Sequence, residues 1–329
     1  MKINVTLYSR QDCHLCEIAR DDLNAIQEKY PHNLFVIDVD SDKDIQQAYG
    51  FEVPVIEVGP YRLKAPFTKQ EIEMTLGAAI DRNEQLESLN NPQYSEMVKQ
   101  GQRWTKIDSF NYWLAKHYLL LCNLFVIIYV GLPFLAPVLM RAGKVTQAKI
   151  IYKTYGVVCH QLAFRSFFLF GKQLVYPRSM AGVDHLLTYH EVTGFSEDSN
   201  PDNLYIASHF LGNDQVGYKV ALCERDIAIY LGILWFGLIY PLMGRRIPPL
   251  HWLIWVVVGL VPIGVDGLSQ LISQPPFNFL PFRESTPILR VITGGLFGFT
   301  TAWFGYPLVE LTMQDTRRIL AAKLIRVKK

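Results

Sequence analysis

Two cysteines separated by two residues stand near the start of the chain, in the run Asp12-Cys13-His14-Leu15-Cys16. A pair at that spacing either exchanges electrons as dithiol and disulfide or supplies half of a metal site. A structural zinc needs four ligands, and the first 86 residues hold no second Cys-x-x-Cys and no spaced histidine pair. The redox reading is therefore preferred, with Cys13 as the attacking sulfur and Cys16 as the one that resolves the mixed disulfide. Arg10 adds positive charge nearby, whereas Asp12 opposes thiolate formation. His14, between the sulfurs, is placed either to tune them or simply to face solvent.

The elements around the pair must deliver Cys13 to a helix N-terminus, where unpaired N–H groups and the helix dipole stabilise a thiolate. The alternation of "INVTLY" predicts a strand, and Ile18, Leu23 and Ile26 recur at helical spacing after Cys16. "LFVIDVD" predicts a second strand and "SDKDIQQAYG" a short helix, with Ser41 as cap and Gly50 as stop. "VPVIEVG" and "YRLKAPF" predict two more strands, and Lys69–Leu86 a closing helix. The order βαβαββα, with Cys-x-x-Cys at the first strand–helix junction, is that of an α/β thioredoxin-like domain over residues 1–86. Pro54 then falls where this fold puts a proline facing the dithiol.

The runs "VTLYSRQDCHLCEIARDDL" and "VIDVDSDKDIQQAYGFEVPVIEVG" with the closing helix resemble the glutaredoxin-like family over about the first 85 residues. The resemblance implies a thioredoxin fold with Cys13 and Cys16 as the active pair and Pro54 as the substrate-groove proline. It departs from true glutaredoxins in the motif, Cys-His-Leu-Cys. It departs again where "RLKAPFTKQE" replaces the stretch that would hold glutathione. No cofactor is required for the dithiol, and the resemblance does not carry glutathione over. The partners expected are protein thiols or disulfides.

Composition changes after this domain. The chain of 329 residues is 50% hydrophobic and 19% charged, and its net charge of +2 supports no nucleic-acid reading. Residues 87–117 are expected to form a polar linker. Beyond it, Tyr118–Met140, Ile227–Gly244, Ile247–Val265 and Val291–Val309 lack Asp, Glu, Lys and Arg, and each is long enough to cross a hydrocarbon core of about 30 Å. This predicts an all-α polytopic membrane domain over residues 118–312 with about four transmembrane helices, so the lipid bilayer is a partner. Residues 313–329 are expected as a basic cytoplasmic tail. Thr154–Gly171 is interrupted by Arg165, and Val145–Gly171 is expected as an interfacial or re-entrant piece rather than a fifth crossing. With four crossings the basic run Lys99–Lys116, the Arg245-Arg246 turn and the tail share one side, opposite the net-acidic loop Lys172–Arg225. The start "MKINVTLYS" has no apolar signal core. The expected location is the bacterial plasma membrane, with both termini cytoplasmic.

Polar groups inside such a domain are costly, about 2.5–3.5 kcal/mol for a charge at mid-membrane, so they pair or serve a function. Asp266 and Gln270 lie one helical turn apart. Arg283 and Glu284 fall in the loop before the last span, which Arg290 opens. An Asp266–Arg290 pair is the structural alternative to a transport or catalytic role. A second constellation comprises Cys159, His160 and Arg165 with Cys223, Glu224, Arg225 and Asp226. If its two segments meet, Cys159 and Cys223 form a disulfide or bind a soft metal such as zinc with His160 and one of His185, His190 or His209. The plain alternative is two buried thiols beside a salt-bridge cluster of Arg165, Glu224, Arg225 and Asp226. The motifs Cys-His-Gln…Arg-Ser-Phe, Cys-x-Arg-Asp, "DGLSQ", "REST" and "TGGLFG" resemble a bacterial integral-membrane family of unknown function, over roughly residues 150–310.

Two functions compete on this reading, beside a plain third in which both domains are structural and the dithiol is degenerate. The first is a membrane-tethered thiol–disulfide oxidoreductase, whose stronger form passes electrons to a Cys159–Cys223 pair. Cys122, the only mid-span cysteine, is a single thiol and makes a poor relay. The second is a membrane protein that binds or transports a metal, lipid or solute under the control of a redox-sensing domain.

Overall fold

The computed structural model describes residues 2–89, 96, 101, 103–275, 277 and 279–328. Two compact units divide the chain, Met1–His117 with Leu311–Lys329, and Tyr118–Glu310.

In the first unit, β1 (Ile3–Ser9) sends alternate side chains to opposite faces, as a strand must. It pairs parallel with β2 (His32–Asp38) and antiparallel with β3 (Val55–Val58), which pairs antiparallel with β4 (Tyr61–Lys64). The sheet order is β2-β1-β3-β4. Val5 and Leu7 face a core made with Leu23 of α1 (His14–Ala25) and with Ile72 and Leu76 of α3 (Lys69–Ser88). Tyr8 faces the other way, with Ile45 and Tyr49 of α2 (Lys43–Tyr49). The observed order βαβαββα is the thioredoxin-like one.

One detail of α2 differs from the sequence reading. Its cap is Asp42, whose Oδ1 accepts from the N–H of Asp44 at 2.9 Å and of Ile45 at 3.4 Å. Ser41 lies one residue too early, in the turn Val39–Ser41, and its hydroxyl donates to the carbonyl of Asp38 at 2.6 Å. Gly50 is the C-cap, where it was expected.

The linker and the tail are largely helix. Residues 90–95, 97–100 and 102 of the expected linker lie outside the described residues. Glu87 and Ser88 end α3, and Lys106–His117 open α4 (Lys106–Arg141), which starts on a reciprocal cap. The Thr105 hydroxyl accepts from the Asp108 N–H at 3.1 Å, and the Asp108 carboxylate accepts from the Thr105 N–H at 2.8 Å. The expected tail continues the last helix, α10 (Pro287–Lys328). No glycine or proline interrupts it after Pro307. Arg317, Leu320 and Ala321 recur at i, i+3 and i+4 and are buried, so this turn run has an inward face. Ala321 and Ala322 complete the Tyr8–Tyr49 core. Arg317 donates to Asp44 at 2.7 Å and to the carbonyl of Ala115 at 2.9 Å, and Lys323 pairs with Asp108 at 2.8 Å.

Among the described residues of the chain, four helices are long and apolar enough to cross a membrane. They are α4, α8 (Glu224–Leu242), α9 (Trp252–Ile272, π-helical over Trp255–Leu260) and α10. In the second unit α8 and α10 approach closely, since a Cβ at Gly298 would lie 1.9 Å from the carbonyl oxygen of Ile229. Small residues at such crossings let backbones touch, which is how helices pack where no hydrophobic drive separates them from lipid. The interrupted stretch after Arg141 forms α5 (Val145–Tyr155), stops at Gly156, and then enters β5 (Ser166–Leu169). Two short helices follow, α6 (Tyr189–Thr193) and α7 (Pro201–His209). A small antiparallel sheet, β5-β7-β6, is completed by β6 (Gly212–Asn213) and β7 (Gly217–Cys223). The sequence reading had no sheet here.

Replacing Arg317 with Met strands Asp44 and the Ala115 carbonyl, and should destabilise the first unit by about 1–3 kcal/mol. In a thermal-unfolding cycle with Asp44→Asn, the double variant should lose less than the sum of the single ones. Additive losses would show that the pair is uncoupled.

Candidate redox site

Cys13 is the N-cap of α1, and its sulfur accepts from the N–H of Cys16 at 3.2 Å. The two sulfurs form a disulfide, with Cα atoms 5.2 Å apart. They are not equivalent. Cys13 is half-buried, whereas Cys16 is 2% exposed and packs one turn into the helix. The Cys13 sulfur thus sits at the N-terminus of α1, met by the Cys16 N–H.

Beside the pair lies a groove of about 260 Å³ lined by Leu15, Ile18, Asp22, Pro54, Pro66 and Phe67. Leu15 is 57% exposed, an apolar side chain held open at the rim. Pro54 follows a cis peptide bond and lines the groove. Arg10, read as a charge near the sulfurs, is instead gripped by Asp40 through contacts of 2.7 and 3.0 Å. These hydrogen bonds, with one from Gln46, hold the Asp40 carboxyl below its usual range. His14 is exposed. The "RLKAPFTKQE" stretch becomes β4, the groove wall at Pro66 and Phe67, and the Thr68–Glu71 capping box of α3.

The second unit buries a charge network. Glu284, with a side chain 1% exposed, takes both Nε and Nη2 of Arg165 at 2.8 and 2.9 Å and Nη1 of Arg178 at 3.1 Å. Arg290 and Gln270 also donate to it, the latter at 2.7 Å. Burial alone would raise the Glu284 carboxyl; the charge and hydrogen bonds of Arg165, then the charges of Arg290 and Arg178, hold it below the usual range. Arg290 also reaches Glu224 at 3.2 Å. Asp266 takes Arg225, Arg283 at 2.9 Å and the Ser285 hydroxyl at 2.8 Å. The alternative Asp266–Arg290 pair is thus replaced by two crossed sets. Arg165, Arg225 and Glu224 each pair outside the cluster expected for them, with Glu284, Asp266 and Arg290 respectively.

Residues 4–77 match the family model described as a glutaredoxin-like domain (DUF836). The chain carries a glutaredoxin-like domain. Residues 215–304 match the model described as a predicted membrane protein (DUF2085). An uncharacterized protein of Methanocaldococcus jannaschii is 28% identical over 204 residues, 59% of this chain and 94% of that protein. The X-ray structure of a structural-genomics target protein from X. campestris is 33% identical, covers 22% of this chain and 96% of its own, and superposes with a TM-score of 0.21. The glutaredoxin-like domain is thus fused to a membrane domain, and the whole is a membrane protein of redox type.

Outside the glutaredoxin-like domain the remaining cysteines are free thiols. Cys159 and Cys223 come together, and with them Asp226, whose Oδ2 accepts from the Cys223 thiol at 3.0 Å. Hydrogen bonding from Cys223, helped by the N–H of Gln161, lowers the Cys159 thiol against the effect of burial; the same contact and burial raise Cys223. His160 is exposed and is not in this group, nor are His185, His190 or His209. His190 and His209 direct Nδ1 at the carbonyls of Phe195 and Tyr205. Two members of these clusters escaped the sequence reading. Arg178 is wholly enclosed, stacked 3.9 Å from the ring centre of Phe164; its one signal is an isolated arginine after the aromatic-proline pair Tyr176-Pro177. Lys219 is 0% exposed, and burial pushes its ammonium down to about 7. It gave no signal, because β7 is buried along nearly its whole length and the polar–apolar alternation fails.

In reduced protein, iodoacetamide should modify Cys13 well before Cys16, as peptide mapping would show; equal rates would contradict the assigned roles. Glu284→Gln leaves three guanidinium groups facing a neutral amide and should destabilise the second unit by about 3–5 kcal/mol. A thermal-unfolding shift near zero would mean that the charge is not needed there.

Proposed function

We propose that the protein is a membrane-anchored thiol–disulfide oxidoreductase acting through Cys13 and Cys16. The observation that carries the reading is the asymmetry of the pair. A half-buried sulfur caps a helix beside an open apolar groove, with a buried sulfur one turn behind it. The Cys13 thiolate attacks one sulfur of a substrate disulfide, and the other substrate sulfur leaves as a thiolate. Cys16, on losing its proton to solvent, attacks the Cys13 sulfur and expels the second substrate thiolate. Two electrons pass to the substrate, and Cys13–Cys16 becomes a disulfide. A dithiol donor of the thioredoxin type returns the pair to the reduced form.

The groove supports an extended peptide as substrate, since its rim is apolar at Leu15, Ile18 and Phe67 and carries one charge, Asp22. We place both termini in the cytoplasm and the spans in the plasma membrane. The support is the sequence pattern, since four crossings assign the basic run Lys99–Lys116, the Arg245-Arg246 turn and the basic tail to the same side. No electrons are routed across the bilayer. Cys122 is one thiol in α4, and a disulfide needs two sulfurs.

Cys16→Ser keeps the attacking thiol and removes the resolving one, so it should accumulate mixed disulfides with cytosolic-side proteins in intact cells. The adducts should vanish on reduction and in Cys13→Ser. An absence of adducts, together with a dithiol that glutathione and thioredoxin buffers never titrate, would overturn the assignment.

A further inference from the structure

We propose that Cys159, Cys223 and Asp226 form a binding site for a soft divalent metal ion, with zinc as the fitting one. The site stands apart from the Cys13–Cys16 dithiol and does not depend on its function.

The geometry comes first. The two sulfurs and a carboxylate oxygen all lie within 4.8 Å of one another. A tetrahedral zinc with Zn–S bonds of about 2.3 Å sets two thiolates roughly 3.8 Å apart, so the three donors need only small adjustments to share one ion. They are held from different directions by ordered structure. Cys159 follows α5, its N–H bonded to the carbonyl of Tyr155 at 2.9 Å. Its side chain packs in a core with Tyr152, Val220 and Leu222. Cys223 ends β7, opposite Ser166 of β5, and is also the N-cap of α8, which carries Asp226 in its first turn. Three secondary-structure elements thus converge on one point with two sulfurs and one carboxylate.

The charges close around a dication. Lys219 is fully buried, and its Nζ donates to the carbonyls of Gln161 at 2.6 Å and Ser208 at 2.7 Å. Two thiolates and a carboxylate, once deprotonated, concentrate negative charge that a divalent ion offsets. Soft sulfur donors select zinc over magnesium or calcium, which take oxygen sets. Cys159 is buried while Cys223 and Asp226 are half-buried, so the fourth position opens on their side. His160, the ligand that the sequence suggested, faces solvent and stays outside the set.

Full-length protein purified in detergent without chelators should contain about one equivalent of zinc by elemental analysis. Exchange with Co²⁺ should give a thiolate-to-cobalt charge-transfer band. Cys159→Ser and Cys223→Ser should each lose the metal and the band, and Asp226→Asn, the milder change, should weaken Co²⁺ binding in protein that still unfolds cooperatively. Cys13→Ser/Cys16→Ser should keep both signals, which assigns them to this site rather than to the dithiol. Wild-type protein with neither zinc nor a cobalt band would overturn the proposal. So would a band that survives loss of Cys159 and Cys223, or a Cys159–Cys223 disulfide found by thiol counting in freshly isolated membranes.

Discussion

Glu284 is the constraint on which the second unit depends. Removing one carboxylate from water costs several kcal/mol, and each guanidinium buried with it adds a similar cost. Those costs are offset only if every charge finds partners of good geometry. The structure achieves this by drawing the partners from many elements. Arg165 comes from the turn before β5, Arg178 from the loop after it, Gln270 from α9 and Arg290 from α10. Arg290 then extends the network to Glu224 at the start of α8. A single carboxylate therefore fixes the loop between the first two spans against the ends of three helices. Phe164 contributes twice, with its ring under Arg178 and its carbonyl accepting from Arg290 at 3.4 Å.

The first unit meets a different requirement. A four-stranded sheet has two faces, and α1 with α3 covers only one of them. On the other face α2 is short, and Ala321 and Ala322 of the last helix fill the remainder. Alanine suits this place because a small side chain lets the helix lie close against Tyr8 and Tyr49. Charge then sets the register, through Arg317 to Asp44 and Lys323 to Asp108. The covering helix lies on the face away from α1, so Leu15, Ile18 and Phe67 stay open around the dithiol. Closure of the core and access to the site are settled by the same arrangement.

What the sequence revealed tracks the range of the interactions involved. The order βαβαββα, the helix start at Cys13 and the four apolar helices rest on local periodicity, and all were legible. Lys106–His117 and Met313–Lys328 fell within the expected linker (87–117), polar and broken by Pro92 and Gly101, and the expected basic tail (313–329). Those charges have partners far away in sequence, Asp108 with Lys323 and Arg317 with Asp44, which a local window cannot see. Asp266, Gln270, Glu284 and Arg290 stood out because ionisable groups are costly near a span. Their pairing did not, since several arginines within reach satisfy charge equally well and only geometry chooses. The small sheet β5-β7-β6 was missed for a related reason, as β5 and β6 are only four and two residues long and β7 is buried along most of its length, so no polar–apolar alternation marks it.

The chain uses one local device twice, and the difference lies in a single position. Cys13 and Cys223 are both N-caps, and each faces the residue three places on. In the first helix that residue is Cys16, so the helix carries a complete two-electron couple within one turn. In the later helix it is Asp226, a carboxylate that cannot form a bond to sulfur but accepts the Cys223 thiol proton at 3.0 Å. The second sulfur comes from Cys159, beyond the end of α5, and the pair acquires a carboxylate neighbour that the first pair lacks. Two cysteines alone favour electron exchange. Two cysteines with a carboxylate are instead the donor set on which the zinc proposal rests. The Cys-x-x-Cys spacing made the first legible at once; Cys-x-x-Asp has no such meaning until the fold brings Cys159 to it.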